Sequence, residues 1–125
     1  MNYNTLNVLS LAYIGDAIYE VYIRKHLIQK GIVKVEQLQK EAVNYVSAKN
    51  QAYFLKNMID NNVFTENEMQ IIIRARTHKG NRHPKNTDII TYKHSTGLEA
   101  IIGYLYLNNN IERINYIMNY ILEVK

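Results

Sequence analysis

Residues 4–29 read NTLNVLSLAYIGDAIYEVYIRKHLIQ. Apolar side chains recur here at spacings of three and four, in two rows: Leu6, Leu9, Tyr13 and Ala17, and beside them Leu11, Ile14, Ile18 and Tyr22. This is the period of an amphipathic helix, and the glycine that follows at position 31 is a typical C-terminal stop. The stretch therefore predicts one long helix with an acidic residue, Asp16, in its apolar middle.

The helical period continues along most of the remaining chain. Five further helices are predicted, at Lys34–Tyr45, from Ser47 to about Ile59, from Thr65 to about Arg76, from Ser95 or Thr96 to about Leu107, and at Ile111–Leu122 with Ile114, Ile117 and Ile121 inward. Ser47 is a good N-cap, and Thr65-Glu66-Asn67-Glu68 has the form of a capping box. Residues 77–92 contain the only proline and have no sustained period, although Asp88–Tyr92 is a short strand candidate. The predicted fold is all-α: a single helical domain over residues 1–125, with about six main helices and one long basic loop.

Composition excludes several kinds of protein. The chain has no cysteine, so disulfides, thiolate zinc sites and cysteine nucleophiles are ruled out. It has no apolar run long enough to span a membrane, and its first residues lack the pattern of a secretory signal. We therefore expect a cytoplasmic protein with no membrane partner.

Positive charge is concentrated between Arg74 and His94. This stretch holds six of the fifteen lysines and arginines but only one of the eleven acidic residues, so the rest of the chain is nearly neutral. Clustered cations beside hydrogen-bond donors suit a phosphate backbone, which predicts a nucleic-acid-binding segment. A solvated polar loop without a partner is the alternative interpretation.

Two carboxylates, Asp16 and Glu99, stand among apolar and small residues instead of on polar helix faces. An ionised carboxylate in such a setting needs a compensating cation or good donors. Oxygens from two different helices suit Mg²⁺, which keeps water and phosphate as its other ligands and promotes phosphodiester cleavage. Structural alternatives remain open: Glu99 could complete a capping box with Thr96, and Asp16 could pair with a buried arginine or accept tyrosine hydroxyls.

Five segments, in order along the chain, resemble the catalytic domain of the ribonuclease III family, and most closely its Mini-ribonuclease III branch. They are AYIGDA at 12–17, VSAK at 46–49, RAR at 74–76, PKNTD at 84–88 and STGLEA at 95–100. The first resembles the signature helix of the family, whose core is Leu-Gly-Asp-Ala, and the last resembles its second acidic helix. The similarity extends over essentially the whole chain.

The resemblance implies an all-helical homodimer that cleaves double-stranded RNA with Mg²⁺, for which Mn²⁺ can substitute, leaving 5′-phosphate and 3′-hydroxyl ends. Asp16 and Glu99 match the catalytic, metal-binding acids. The known role of the branch is end maturation of precursor 23S ribosomal RNA, with a ribosomal protein as a candidate partner that presents the substrate. We expect RNA contacts from Arg74, Arg76, Lys79, Arg82, Lys85 and Asn86, and from Lys49 in the VSAK segment.

The sequence also departs from full-length ribonuclease III. That enzyme has further acids at the positions of Leu9, Ala12 and Thr96, so only Asp16 and Glu99 carry over as acids. Water and phosphate oxygens would then have to complete the metal shell. The chain also ends too soon after its sixth helix to hold a separate double-stranded-RNA-binding domain, which is the Mini-ribonuclease III arrangement.

Two rival interpretations remain at this stage. The chain could be a non-catalytic helical RNA-binding or ribosome-assembly module that uses the same basic loop. Alternatively, His78, His83 and His94 could form a metal site, although their spacings fit no usual ligand pattern.

Overall fold

The structure, a computed structural model, describes residues 2–79, 83 and 85–124. In this part of the chain there are six α-helices, a short 3-10 turn at Tyr3–Thr5, and no β-strand. The helices are α1 (Val8–Gln29), α2 (Val35–Val46), α3 (Ala48–Asp60), α4 (Glu66–Arg76), α5 (Ile89–Leu107) and α6 (Ile111–Val124). The all-α prediction is confirmed. No described helix combines the length and the apolar character that crossing a bilayer requires.

Side-chain caps fix where α3 and α4 begin. The Ser47 hydroxyl accepts a hydrogen bond from the Asn50 amide at 3.2 Å, and because Ser47 also ends α2 it forms the corner between these two helices. Before α4, the Thr65 hydroxyl accepts from the Glu68 amide at 3.2 Å, and the Glu68 carboxylate accepts from the Thr65 amide at 2.9 Å. Both predicted caps are confirmed.

The predicted start of α5 at Ser95 or Thr96 is wrong, because the helix begins six or seven residues earlier, at Ile89. Asp88 caps it, accepting hydrogen bonds at 2.8 Å from both the amide and the hydroxyl of Thr91. The strand candidate Asp88–Tyr92 is therefore the cap and first turn of a helix. The basic loop is correspondingly shorter, and part of it, including Arg82 and Pro84, lies outside the described residues.

Helix α5 lies at the centre of the fold, where α1, α3 and α4 pack around it. From Ser95 to Leu105 all its residues are buried except Glu99, which is half-buried. The largest fully buried side chains around it include Leu11, Tyr19, Ile23, Phe54, Leu55, Ile72 and Ile114. The inward positions predicted for α6 are confirmed, since Ile114, Ile117 and Ile121 are all buried.

Helices α1 and α5 touch backbone to backbone at two glycines. A Cβ atom on Gly15 would overlap the carbonyl group of Glu99 and lie 2.8 Å from the amide nitrogen of Gly103. A Cβ atom on Gly103 would overlap the carbonyl group of Leu11. Only glycine permits this approach. Because Asp16 follows Gly15 directly, the contact sets Asp16 beside Glu99.

Candidate functional site

The carboxyl groups of Asp16 and Glu99 lie within hydrogen-bonding reach of each other, on neighbouring helices. Asp16 is exposed and Glu99 is half-buried, so the pair opens to solvent on one side. We call these two groups the carboxyl pair. The structure thus brings together the two acids that the sequence singled out, 83 positions apart along the chain.

The structural explanations considered for these two acids are wrong. Thr96 is in the interior of α5, where its hydroxyl donates to the carbonyl of Tyr92, so Glu99 is not part of a capping box. The ion pairs between described residues are Arg24–Glu20 and Arg113–Glu68. Among the same residues, no tyrosine hydroxyl donates to Asp16. Neither member of the carboxyl pair is therefore neutralised by these partners.

Because none of these partners compensates its negative charge, the Glu99 carboxyl group has a shifted pKa. Burial, the nearby negative charge of Asp16 and, more weakly, that of Glu20 together raise the pKa of its carboxyl group to about 8. Two carboxylates this close cannot both ionise cheaply without a cation between them. The pair therefore has the electrostatics of a cation site.

This pKa shift predicts how stability depends on pH. Between the ordinary pKa of Glu99, 4.5, and its folded value of about 8, the folded protein binds more protons than the unfolded chain. The contribution of Glu99 to the free energy of unfolding should therefore fall as pH rises through this window. Urea unfolding in the presence of a chelator should show the fall, and Glu99→Gln should be less sensitive to pH; equal pH dependence in the two proteins would contradict the assignment.

Gln51, on α3, is a third polar group at the carboxyl pair. Only 2% of it is exposed, and its carboxamide faces the Glu99 carboxyl group. Its Nε2 atom nevertheless completes no hydrogen bond of ordinary geometry. The sequence offered a signal for this residue that our reading missed, since Gln51 is the one polar member of the buried row formed with Phe54, Leu55 and Met58.

The donor set at this site fits a hard cation that retains water and phosphate ligands. Two carboxylates can supply only part of the six oxygens that Mg²⁺ takes, and the open side leaves room for the rest. Across residues 2–79, 83 and 85–124, no three or more His, Asp or Glu side chains are grouped so as to hold a metal ion. The alternative site at His78, His83 and His94 is therefore wrong.

A cleft of about 540 Å³ lies between α3, the end of α4 and the first turns of α5. Its lining includes three cations, Lys49, Lys56 and Arg76, and one acid, Asp60. Thr91 and His94 of α5 line it as well; the Nδ1 atom of His94 is 2.9 Å from the carbonyl oxygen of Ile90. We call this the basic cleft. The residue of its α5 wall nearest to Glu99 is His94, five positions earlier, or about 7.5 Å along the helix axis.

The predicted RNA-binding residues do not all lie at this cleft. Lys49 and Arg76 line it. Lys79, Lys85 and Asn86 are exposed in the loop before α5, outside the cleft lining. Their roles remain predictions.

Arg74 has a structural role that the sequence did not reveal. Its guanidinium group donates to the carbonyl oxygens of Asn4 and Leu6, the latter at 2.7 Å, and so anchors the N-terminal segment to α4. The side chain is half-buried. A contact between Arg74 and RNA would have to compete with these bonds, whereas Arg76, two residues later, faces the basic cleft.

Lys56 is the basic cleft cation that the sequence analysis did not identify. Lys56 lies outside the Arg74–His94 stretch, in which the positive charge is concentrated. A signal was available, because Lys49 and Lys56 are seven residues apart and therefore share one face of a helix.

Comparisons with known proteins agree with this architecture. Residues 9–110 match the model of the Ribonuclease III domain family. The chain is 42% identical over 120 residues to the Mini-ribonuclease 3 of Streptococcus pneumoniae, covering 96% of this chain and 94% of that protein. It is 48% identical over 111 residues to the Mini-ribonuclease 3 of Brevibacillus brevis, covering 89% of this chain and 81% of that one.

A solved structure shows the same fold. The crystal structure of a protein from Fusobacterium nucleatum superimposes with a TM-score of 0.85 at 34% sequence identity, covering 95% of each chain. Family membership thus rests on sequence matches over most of the chain and is consistent with the arrangement of the helices. The chain belongs to the ribonuclease III family, in its Mini-ribonuclease 3 branch.

Proposed function

We propose that the chain is an endoribonuclease that cleaves double-stranded RNA, with Mg²⁺ held by Asp16 and Glu99. The observation that carries the proposal is the meeting of these two carboxyl groups, uncompensated by a protein cation, close to the basic cleft. The relatives named as ribonucleases support the same class of reaction.

In this proposal, acidic residues hold the metal ion and cationic residues position the RNA. Asp16 and Glu99 provide the protein oxygens for the ion, which when bound supplies an activated water and stabilises the charge of phosphodiester cleavage. Cations of the basic cleft bind backbone phosphates, and the loop residues Lys85 and Asn86 approach the duplex near the cleaved bond. Hydrolysis leaves a 5′-phosphate and a 3′-hydroxyl.

The proposal is tested by incubating the purified protein with duplex RNA and either Mg²⁺, Mn²⁺ or a chelator. We expect cleavage with Mg²⁺ and also with Mn²⁺, no cleavage with the chelator, and labelled ends that are 5′-phosphorylated. Binding without cleavage in every condition would instead support the non-catalytic RNA-binding or ribosome-assembly module.

We predict that Lys49 and Lys56 bind phosphates in the basic cleft. Replacing both with alanine should weaken binding to duplexes of any sequence and reduce the slope of log affinity against log salt by about one for each lysine. Fluorescence anisotropy at several salt concentrations measures this. Lys40→Ala, a change at an exposed lysine of α2, is the matched control, and a double variant with an unchanged slope would place the RNA elsewhere.

We also propose that the protein acts as a homodimer, so that each copy cuts one strand. The first apolar row of α1 supports this, because it faces outward: Leu9 is 46% exposed and Tyr13 is 83% exposed. An apolar groove of about 370 Å³ between α1 and α2, lined in part by Leu27 and Leu38, offers a second exposed apolar surface. A dimer built from such surfaces would cover them and place two carboxyl pairs near one another.

Tyr13 provides the test of this dimer. Tyr13→Ser removes a large exposed apolar side chain without opening the core, so we expect a folded protein that sediments as a monomer at concentrations where the parent is dimeric. Tyr53→Ser, at a tyrosine of α3 that is 57% exposed, is the matched control. An unchanged sedimentation profile for Tyr13→Ser would exclude this face as the interface.

The natural substrate we propose is the base-paired end region of precursor 23S ribosomal RNA, which the family resemblance implies and which would place the enzyme in the cytoplasm. A ribosomal protein that presents this RNA is a further proposed partner. Accumulation of 23S RNA with unprocessed ends in a deletion strain tests the substrate. Reconstitution with and without the ribosomal protein tests the partner.

A further inference from the structure

We propose that Gln51 is a positioning residue, which orients the Glu99 carboxylate by donating a hydrogen bond from its carboxamide. The inference rests on the proposed function, because it concerns the state in which Glu99 binds a cation. It adds a residue of α3 to a site that otherwise consists of side chains from α1 and α5.

The Nε2 atom of Gln51 is a hydrogen-bond donor that lacks a partner. Gln51 is almost fully buried, yet its Nε2 atom completes no hydrogen bond of ordinary geometry. A buried donor without a partner destabilises a fold, so its presence points to a state in which the partner is available. The acceptor that it faces is the Glu99 carboxyl group.

The backbone at the start of α3 holds Gln51 in place. It lies four residues after the helix cap at Ser47, and its own amide donates to the Ser47 carbonyl at 2.9 Å. The preceding corner is tied to α1, because the buried Tyr19 hydroxyl donates to the carbonyl oxygen of Tyr45 at 2.7 Å. The carboxamide is therefore presented to Glu99 from a rigid element.

The Glu99 carboxylate must be held in one orientation if it is to share a cation with Asp16. Glu99 has three side-chain torsions, and only an orientation with an oxygen beside Asp16 allows the pair to share one cation. An N–H group that holds one oxygen leaves the other to face Asp16. Groups that orient a metal-binding side chain in this way contribute substantially to affinity, and their loss typically lowers it by about tenfold to a hundredfold.

The test uses Gln51→Met, which keeps the length and volume of the side chain but removes the donor, with Gln37→Met on the exposed face of α2 as the matched control. Calorimetric titration with Mn²⁺ alone should show affinity reduced by about tenfold or more. The metal-free melting temperature should be unchanged or higher, because an unpartnered amide has been removed. In cleavage assays kcat should fall at fixed Mn²⁺ while KM for RNA stays within twofold.

Each other outcome overturns the inference. Mn²⁺ affinity and kcat equal to those of the parent would show that the amide does not act on Glu99. A lowered melting temperature with unchanged Mn²⁺ affinity, or failure of both Gln51→Met and Gln51→Leu to fold, would assign the residue a purely structural role. A parent protein that binds no Mn²⁺ and cleaves no RNA would instead overturn the proposed function itself.

Discussion

Asp16→Asn is expected to reduce RNA cleavage by about a thousandfold or more while leaving duplex binding intact. The change removes one of two protein oxygens for the ion, and a loss of about 4 kcal/mol of transition-state stabilisation corresponds to this factor. Binding should persist or improve, because a negative charge beside the phosphates disappears. Single-turnover cleavage and anisotropy with the same duplex measure the two effects.

Glu99→Gln should behave in the same way, and Glu112→Gln, in the exposed first turn of α6, is the matched control that should cleave normally. Both site variants should also unfold at higher temperature than the parent at pH 8 without metal, because each removes the repulsion within the carboxyl pair. Such a gain in stability with a loss of activity is expected where a site is built for function. Normal cleavage by either site variant would contradict the catalytic assignment.

The second large effect is expected from Gly15→Ala. The added methyl group would meet the backbone of α5 at Glu99, and backbone cannot rotate away as a side chain can. The two helices would have to separate, which we expect to cost about 3 kcal/mol and to lower the melting temperature by about 10 °C. Because Asp16 and Glu99 would move apart together with the helices, cleavage should fall by about a hundredfold beyond any loss of folded protein.

Gly97→Ala is the matched control for this prediction. A Cβ atom on Gly97 would lie 3.2 Å from the Arg76 Cγ atom and 3.3 Å from the Leu55 Cδ2 atom, both on side chains that can shift. The better helix propensity of alanine offsets part of the cost. Thermal melts of the two variants should therefore separate clearly, and equal losses would show that the α1–α5 contact is no tighter than ordinary packing.

Much of the fold could be predicted because short-range features of the sequence determine where its helices begin and which side chains face inward. The caps at Ser47 and at Thr65–Glu68 act within a few residues, and the period of α6 places Ile114, Ile117 and Ile121 inward without reference to the other helices. The prediction of where α5 begins was wrong for a local reason as well. A proline and several turn-forming residues suggested a loop through Tyr92, and the cap at Asp88 was overlooked.

The site was only partly predictable, because its composition depends on tertiary packing. Asp16 and Glu99 stood out as acids among apolar residues, and the structure places them together. Leu9, Tyr13 and Ala17 of the first row are exposed in the structure, since it is the row of Leu11, Gly15 and Tyr19 that packs on α5. Likewise, nothing near Arg74 in the sequence shows that its guanidinium group binds the carbonyls of Asn4 and Leu6.

Helix α5 also fixes the distance between the basic cleft and the carboxyl pair. Thr91, at the wall where RNA would be held, and Glu99, where it would be cut, are separated by eight residues of one α-helix, or about 12 Å. Inserting one residue between them would lengthen that offset by only about 1.5 Å but rotate one end by about 100° relative to the other. The offset between Thr91 and Glu99 is thus set by a whole number of residues, so it can change only in steps that also rotate one end of the helix relative to the other.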